Sequence, residues 1–161
     1  MGVQVWEGLW RRHADRLLLY ATTLLSDRAA AEDALQNVFV RLIAAGEPAT
    51  LESEAAYLFR AVRNEALNTL RSRRSASRVA LFDSPSEDPR DAAELAETGR
   101  QVESALLSLS SEEREAVVLK IWGNLSFTET AGVLGVTEKT LEHRYYRGLA
   151  ALKEALKGSH E

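Results

Sequence analysis

The feature that most constrains the fold lies near the carboxyl end, in residues 127–156, FTETAGVLGVTEKTLEHRYYRGLAALKEAL. Residues 128–134 are predicted to form a short helix. Gly135 follows, and glycine adopts a positive φ without steric cost, as a tight turn between helices requires. Thr137 can cap the next helix with its hydroxyl group. A short helix, a glycine-containing turn and a long basic helix predict a helix-turn-helix, although an ordinary αα-hairpin shares this pattern.

The rest of the chain is also predicted to be helical, because it is rich in Ala, Leu, Glu and Arg and has only three Pro and nine Gly in 161 residues. No segment alternates apolar and polar residues as a half-buried strand does, so we expect no sheet. Apolar periodicity and capping residues, including the pair Ser26 and Asp27 before the second helix, predict helices over residues 5–25, 29–45, 53–78 and 91–107. A further helix begins after Ser110, which forms a capping-box pattern with Glu113, and it should turn Val117, Val118 and Ile121 inward.

Charge and proline content divide the chain into two domains. Residues 84–89, SPSEDP, have the composition of a linker. Residues 1–78 hold eleven Arg and nine acidic residues, whereas residues 79–103 hold two Arg and seven acidic residues. We therefore expect a first domain over residues 1–80, an acidic linker over 81–103 and a second domain over 104–161. Such a linker should leave the two domains free to reorient when the protein is alone.

Composition excludes several function classes. The chain has no Cys, so it offers no disulfide, thiol nucleophile or thiolate metal site. Its three His stand in separate contexts, and no catalytic, metal-binding or dinucleotide-binding motif occurs. We expect a protein that is not an enzyme and needs no cofactor or metal. No apolar run approaches the length that spans a bilayer, and no signal segment begins the chain, so the expected location is the cytoplasm.

The last helix offers a first candidate surface for nucleic acid, even though the net charge of −4 by itself argues against such a partner. Its apolar stripe is expected to contain Leu141, Tyr145, Leu149, Leu152 and Leu156. The residues on the other side of the helix should therefore face solvent, and these are Lys139, Glu142, His143, Tyr146 and Arg147. They lie in the N-terminal half, which is the part of a recognition helix that reaches base edges. Arg144 and Arg147 can contact phosphates or guanine. Glu142 either accepts a hydrogen bond from a cytosine amino group or pairs with neighbouring bases of its own helix.

A second candidate surface lies in residues 46–78, where Tyr57 and Phe59 stand among six arginines with Glu65 as the only acid in residues 60–78. Basic side chains interleaved with aromatic ones suit single-stranded DNA, because unstacked bases need π-faces and the backbone needs cations. Both aromatics can instead be core residues, and for Phe59 we favour the core. Arg63 and Asn64 lie on another face of the helix and are better candidates.

These segments, taken in order, resemble the extracytoplasmic-function group of bacterial sigma factors. The resemblance is carried by DRAAAEDALQNVFVRL at residues 27–42, AYLFRAVRNEALNTLRSRR at 56–74 and the region from 107 to 156. It covers nearly the whole chain, and it implies an all-α protein of two small helical domains, one like sigma region 2 and one like the region 4 helix-turn-helix. Such a protein binds core RNA polymerase and directs promoter recognition and transcription initiation.

The resemblance also implies roles for particular residues. The segment that docks on the β′ clamp helices contains Asp33, Gln36, Asn37 and Phe39. The surface for the minus-ten promoter element contains Tyr57, Arg60, Arg63, Asn64 and Arg71. The surface for the minus-thirty-five element contains Lys139, Glu142, His143, Arg144, Tyr146 and Arg147. Further implied partners are the polymerase β flap and an anti-sigma factor. Two alternatives stay open: a sigma-like decoy that sequesters an anti-sigma factor, and a simple repressor that uses only the second domain.

Overall fold

A computed structural model describes residues 2–46, 53–76 and 93–158 of the chain. Within these residues the protein consists of α-helices without strands, as predicted. The helices are α1 (Gly2–Leu25), α2 (Arg28–Ala45), α3 (Glu54–Ala76), α4 (Ala93–Leu107), α5 (Ser111–Ile121), α6 (Phe127–Leu134) and α7 (Glu138–Gly158). The predicted linker residues 84–89 and the predicted loop after Gly46 lie outside the described residues. The last part of the predicted linker, from residue 93, belongs to α4.

Helices α1, α2 and α3 pack against one another and form the first lobe. Asp27 caps α2, as predicted, because its side chain accepts a hydrogen bond from the backbone N–H of Ala30. The apolar faces of the three helices close on a shared core, in which burial of each large side chain stabilises the fold by about 1.5–3 kcal/mol. This core contains Leu9, Leu17, Tyr20, Ala31, Val38, Leu58, Phe59 and Val62.

Helices α4 to α7 form the second lobe, which contains the predicted helix-turn-helix. Gly135 ends α6 in the left-handed conformation with φ of 68°, and the hydroxyl group of Thr137 accepts a hydrogen bond from the backbone N–H of Thr140 at the start of α7. A full capping box also opens α6, where Ser126 and Glu129 each bond the backbone of the other. That S-x-x-E pattern is visible in the sequence but was missing from the prediction, which placed a capping box at Ser110 instead. The Ser110 side chain does accept a hydrogen bond from the Glu113 N–H.

Helices α5 and α7 approach each other closely at Gly148. A Cβ atom on this residue would lie 2.8 Å from Cγ2 of Val117 and 3.1 Å from the carbonyl oxygen of Glu113. Val117 and Val118 are buried, as predicted. The prediction for Ile121 was wrong, since 43% of this residue is exposed. Trp122, three residues after Leu119 and thus at helical spacing, packs against the core at the end of α5.

The two lobes pack against each other rather than standing apart. Helix α1 contacts α5, and α3 contacts α6. This closed arrangement differs from the sequence-based expectation of lobes that reorient freely. The contacts that hold it together join residues more than 50 positions apart, which the composition of a linker does not reveal.

Candidate nucleic-acid and polymerase interfaces

The N-terminal half of α7 presents a polar surface to solvent. The five residues predicted to face outward are all exposed: Lys139, Glu142, His143, Tyr146 and Arg147. On the opposite face Leu141 is fully buried and Leu152 is buried, while Tyr145 is half-buried. The orientation of α7 is therefore confirmed, with Gly148 as an additional buried position that the predicted stripe lacked.

An aromatic cluster supports this surface of α7. The ring of Phe127 lies edge-on to Tyr145 at 5.6 Å between centroids, and the rings of Tyr145 and Tyr146 are 5.1 Å apart. The ammonium group of Lys120 lies 4.2 Å from the centroid of Phe127 and adds a cation–π contact. Tyr146 is nevertheless 58% exposed. The cluster joins α6 to α7 and holds an exposed aromatic ring in place. Sequence reasoning missed Phe127 and Lys120, because only the tertiary fold brings them to Tyr145.

The arginines of α7 are loosely paired with the start of α5. The Arg144 guanidinium lies 3.7 Å from the Glu112 carboxylate, and Arg147 lies 3.9 Å from Glu113. Pairs at such distances near the surface contribute little to stability, so both arginines can exchange these partners for phosphate. Among the described residues Glu142 forms no ion pair within 4.0 Å. The structure therefore does not show the intrahelical pair that was one alternative for this residue.

The exposed face of α3 carries four of the five residues predicted for the minus-ten element. Tyr57 is 41% exposed, and its ring stacks on Trp6 with 6.1 Å between centroids. Arg60, Asn64 and Arg71 are also exposed. Phe59 is fully buried and lies edge-on to Tyr20 at 5.7 Å, so its interpretation as a core residue is confirmed.

Two of the five predicted residues, the half-buried Arg63 and the exposed Arg60, contact the second lobe. Nε of Arg63 donates to Oε1 of Glu115 at 2.9 Å, and Nη2 donates to Oε2 at 3.4 Å. The hydroxyl group of Tyr20 donates to the same Oε1 at 2.7 Å. Nη2 of Arg60 donates to the carbonyl oxygen of Gly132 at 3.0 Å. We call these contacts between the two lobes the lobe interface. It also contains a hydrogen bond between Ser53 and Glu129 and one from Arg16 to the carbonyl oxygen of Gly123.

Burial and pairing change the acid–base properties of the lobe interface. Burial raises the pKa of Tyr20 well above its usual range, and the Glu115 charge raises it further. Burial works to lower the pKa of Arg63, but the hydrogen bond and the charge of Glu115 outweigh it and raise that pKa. The hydrogen bond from Ser53 lowers the pKa of Glu129. No local pattern in the sequence marks Glu115 or Tyr20, which lie 95 residues apart and meet only in the closed fold.

The outer face of α2 carries the residues predicted to dock on polymerase. Asp33 and Gln36 are exposed. Asn37 is exposed as well and donates a hydrogen bond to Glu65 of α3 at 3.3 Å. The fourth residue, Phe39, is half-buried and packs on Trp10 with 5.1 Å between ring centroids.

Phe39 thus belongs to a shallow groove between α1 and α2 rather than to the fully exposed face. The groove is lined by Trp10, Ala14, Asp15, Leu18, Glu32, Leu35, Gln36 and Phe39. Val40, which is 64% exposed, adds an apolar side chain to the outer face of α2. The sequence analysis gave Val40 no role.

Metal and membrane sites are absent from the part of the chain that the structure describes. Within residues 2–46, 53–76 and 93–158 no three His, Asp or Glu side chains come together as a metal site requires. None of the helices in those ranges is long and apolar enough to cross a membrane.

Comparison with known proteins identifies the family. The family model "Sigma-70 region 2" matches residues 9–76, and "Sigma-70, region 4" matches residues 99–152. The ECF RNA polymerase sigma factor SigE of Mycolicibacterium smegmatis is 33% identical over 160 residues, which cover 94% of this chain and 61% of that protein. The RNA polymerase sigma-E factor of Streptomyces avermitilis is 32% identical over 152 residues, which cover 91% of this chain and 82% of that protein.

Solved structures extend the likeness to the fold. The sigma factor RpoE in complex with the anti-sigma factor NepR from Bartonella quintana has a TM-score of 0.74 at 23% identity, covering 96% of this chain and 98% of that chain. CnrH in complex with the cytosolic domain of CnrY has a TM-score of 0.67 at 26% identity, covering 96% of this chain and 89% of that chain. The order of the two matched regions, the relatives matched over most of this chain and the shared fold lead to one conclusion: the chain belongs to the extracytoplasmic-function group of RNA polymerase sigma factors.

Proposed function

We propose that this protein binds core RNA polymerase, directs it to promoters and thereby starts transcription. In this proposal the first domain, residues 1–80, binds polymerase and the minus-ten element. Residues 81–103 form the acidic linker, of which residues 93–103 belong to α4, and the second domain, residues 104–161, binds the minus-thirty-five element. The chain acts by binding and positioning, while polymerase carries out the chemistry. Its place of action is the cytoplasm, where core polymerase and promoter DNA are found.

The observation that carries this proposal is the presence of three separate polar surfaces on one small chain. An exposed polar face lies on α2, an arginine-rich face on α3, and a solvent-facing recognition surface on α7. A repressor that uses only a helix-turn-helix has no need of the first two. The combination supports a protein that joins an enzyme to two DNA elements.

The chemistry of the α7 surface fits duplex DNA. Lys139, Arg144 and Arg147 supply cations for phosphates or for the O6 and N7 acceptors of guanine. Glu142 supplies an acceptor for the amino group of cytosine, and Tyr146 supplies an aromatic face next to them. Because phosphate contacts position a protein and base-edge contacts select the sequence, Glu142 and Arg147 are the proposed specificity residues.

The chemistry of the α3 surface fits separated strands. Tyr57 offers an exposed ring on which an unstacked base can lie, and Asn64 and Arg71 supply hydrogen-bond donors beside it. Arg60 and Arg63 complete this surface once they are released from the second lobe. An unstacked base that is bound in this way favours strand separation, because the bound base no longer pairs with its complement.

The proposed protein partners use the first and second lobes differently. Asp33, Gln36, Asn37 and Phe39 form the proposed contact with the β′ clamp helices, and the second lobe is the proposed contact of the β flap. An anti-sigma factor is a further proposed partner. This last proposal is supported by the likeness in fold to a sigma factor that was solved with the anti-sigma factor NepR.

The decisive experiment for the proposed function is run-off transcription with purified core polymerase on a library of genomic fragments. We expect defined transcripts only when the protein is added. The absence of any promoter-specific transcript, together with binding to an anti-sigma factor, would instead favour the decoy that sequesters an anti-sigma factor. Promoter binding without affinity for core would favour the simple repressor.

A second experiment tests the docking surface on α2. The double variant Asp33→Ala with Gln36→Ala should weaken binding to core polymerase in a fluorescence titration, because it removes two exposed polar groups of the proposed contact. A matched control is Gln4→Ala with Glu7→Ala, which removes an equivalent pair from the exposed face of α1. Helix content measured by circular dichroism should stay the same in both. If both double variants bind core as tightly as the wild type, the α2 assignment is wrong.

A further inference from the structure

The buried indole of Trp6 contacts both ends of the segment that joins α2 to α3. Its Nε1–H donates a hydrogen bond to the carbonyl oxygen of Gly46 at 2.7 Å, just after the end of α2. Its ring stacks on Tyr57 in the first turn of α3, with 6.1 Å between centroids and 26° between the ring planes. Trp6 is only 2% exposed, whereas Tyr57 is 41% exposed. A core residue thus lies against the ring that is proposed to receive an unstacked base.

The hydrogen bond to Gly46 holds the Trp6 ring in one orientation. An indole has a single N–H donor, and a buried donor without a partner costs free energy, so rotation of the ring away from this carbonyl oxygen is unfavourable. The rest of the ring belongs to the core of the first lobe. Trp6 therefore offers Tyr57 a fixed aromatic face that is present before any DNA is bound.

A fixed face of this kind restricts an exposed aromatic side chain. A tyrosine on the surface of a helix can take either of the two χ1 rotamers that helices favour, and a base can stack on it only in the matching one. Stacking on Trp6 favours one orientation of Tyr57 in advance. Ordering a free side chain during binding reduces affinity by about 2- to 12-fold, and a ring that is already ordered avoids this loss.

We propose that Trp6 is a positioning residue for the minus-ten surface, which holds the Tyr57 ring in the orientation that an unstacked base contacts. This inference rests on the proposed function, because it takes Tyr57 as the ring on which the base lies. Trp6 does not touch DNA in this proposal. It acts through Tyr57, while its hydrogen bond to Gly46 keeps its own ring in place.

The first test observes the Tyr57 ring without DNA. The protein is labelled with fluorotyrosine, and Tyr57→Phe assigns the Tyr57 fluorine signal among those of the four tyrosines. Trp6→Leu keeps an apolar side chain but removes the aromatic face, so it should shift this signal through loss of the indole ring current. Leu17→Ala is the matched control, because Leu17 is fully buried in the same core about 16 Å further along α1. It should leave the signal in place. An unchanged Tyr57 signal in Trp6→Leu would overturn the proposal.

The second test measures strand binding in the complex with core polymerase. The probe is a fluorescent non-template single strand from a promoter found by run-off transcription, intact or with an abasic site at each position in turn. In the wild type, removal of the base that stacks on Tyr57 should weaken binding. Trp6→Leu should weaken binding of the intact strand by about fivefold and should abolish most of the sensitivity to that abasic site, as Tyr57→Ala does. Leu17→Ala should keep the sensitivity.

Several outcomes of this binding test would overturn the positioning role. A loss in Trp6→Leu that is equal on intact and abasic strands would mean that Trp6 only stabilises the fold, and a wild type insensitive to every abasic site would mean that no base stacks. Trp6→Phe keeps an aromatic ring but no donor and should lose less affinity than Trp6→Leu, so an equal loss would exclude the stack as the positioning contact. Trp6→Leu combined with Tyr57→Ala should bind no more weakly than Tyr57→Ala alone, and additive losses would contradict action through Tyr57.

A third measurement needs no variant, so it decides the question even if Trp6→Leu does not fold. In fluorotyrosine-labelled wild-type protein, the nuclear Overhauser effect between the Tyr57 fluorine and the Trp6 ring protons should persist when excess single strand is added. Its disappearance would show that the ring leaves Trp6 in order to bind, which overturns the proposal. A wild-type complex with polymerase that binds no strand and gives no transcript disproves the proposed function instead, whatever the fluorine signal of Tyr57 shows.

Discussion

The two proposed DNA surfaces differ in how open they are. On α7 the residues proposed for the minus-thirty-five element face solvent, and the arginines there have distant, surface partners. On α3 the residues proposed for the minus-ten element are divided. Tyr57, Asn64 and Arg71 are exposed, and so is Arg60, although it donates to a carbonyl oxygen of the second lobe, whereas Arg63 is half-buried and bonds Glu115 there.

This difference fits what each surface is proposed to bind. Duplex DNA is available at any time, so an open α7 surface can be used by the free protein. Separated strands exist only once polymerase and promoter are together, so an α3 surface whose Arg63 is bonded to the second lobe loses nothing in the free protein. A surface covered by its own chain is also kept from non-specific binding to polyanions, which depends mainly on accessible cations.

The largest effect, on the free energy of unfolding, is expected on the side of α3 that packs in the core. Phe59→Ala should lower the free energy of unfolding by about 3–5 kcal/mol, because it removes a fully buried ring that packs on Tyr20. Asn64→Ala, on the exposed face of the same helix, should change stability by less than about 0.5 kcal/mol. Urea denaturation followed by circular dichroism measures both. Equal losses in the two variants would mean that α3 does not have one core face and one free face.

A smaller effect, on DNA affinity, should distinguish the surface on α7 from the one on α3. Arg147→Ala should weaken binding to the upstream element by about 1–3 kcal/mol if it contacts guanine in bidentate fashion, in the free protein and in the complex with polymerase alike. Arg63→Ala should weaken minus-ten binding mainly in the complex with polymerase, because in the free protein Arg63 is already bonded to Glu115. Fluorescence anisotropy at fixed salt measures both. An equal loss for Arg63→Ala with and without polymerase would contradict the proposed difference between the surfaces.

The sequence predicted the helices and their caps better than it predicted the lobe interface. Gly135, Thr137 and Asp27 act locally, so the pattern around each residue was enough to place it. The orientation of α7 followed from its apolar periodicity. The contact between Arg63 and Glu115 joins residues 52 positions apart on different lobes, and an exposed arginine has the same local pattern as a paired one. The prediction that Ile121 turns inward was wrong, because helical periodicity does not show whether neighbouring helices cover the end of a helix.

The alkaline pH range tests whether Tyr20 is held in the lobe interface. Because burial raises its pKa, the folded protein favours the neutral phenol. This contribution to stability is fully present below the usual tyrosine pKa of about 10 and is lost as the pH rises through the higher pKa of the closed state. The hydrogen bond to Glu115 that ionisation removes contributes about 1 kcal/mol. Ultraviolet titration of the phenolate should show a late step that Tyr20→Phe abolishes and that Glu115→Gln shifts to lower pH. A late step that survives in Tyr20→Phe would assign it to another residue and leave Tyr20 outside the closed interface.

The smallest expected effect concerns base reading on the open surface. Glu142 is exposed on the side of α7 that is proposed to bind DNA, where an acid weakens general attraction to phosphates but can accept a hydrogen bond from cytosine. Glu142→Ala should therefore bind most upstream sequences slightly more tightly, while the preference at one base pair falls by about 1 kcal/mol. The measurement is a series of duplexes that each change one base pair, at fixed salt, with Glu154→Ala as the control on the same helix. Loss of affinity that is the same on every duplex would show that Glu142 is a solvated residue beside the DNA and that sequence selection on α7 belongs to Arg147 and its neighbours.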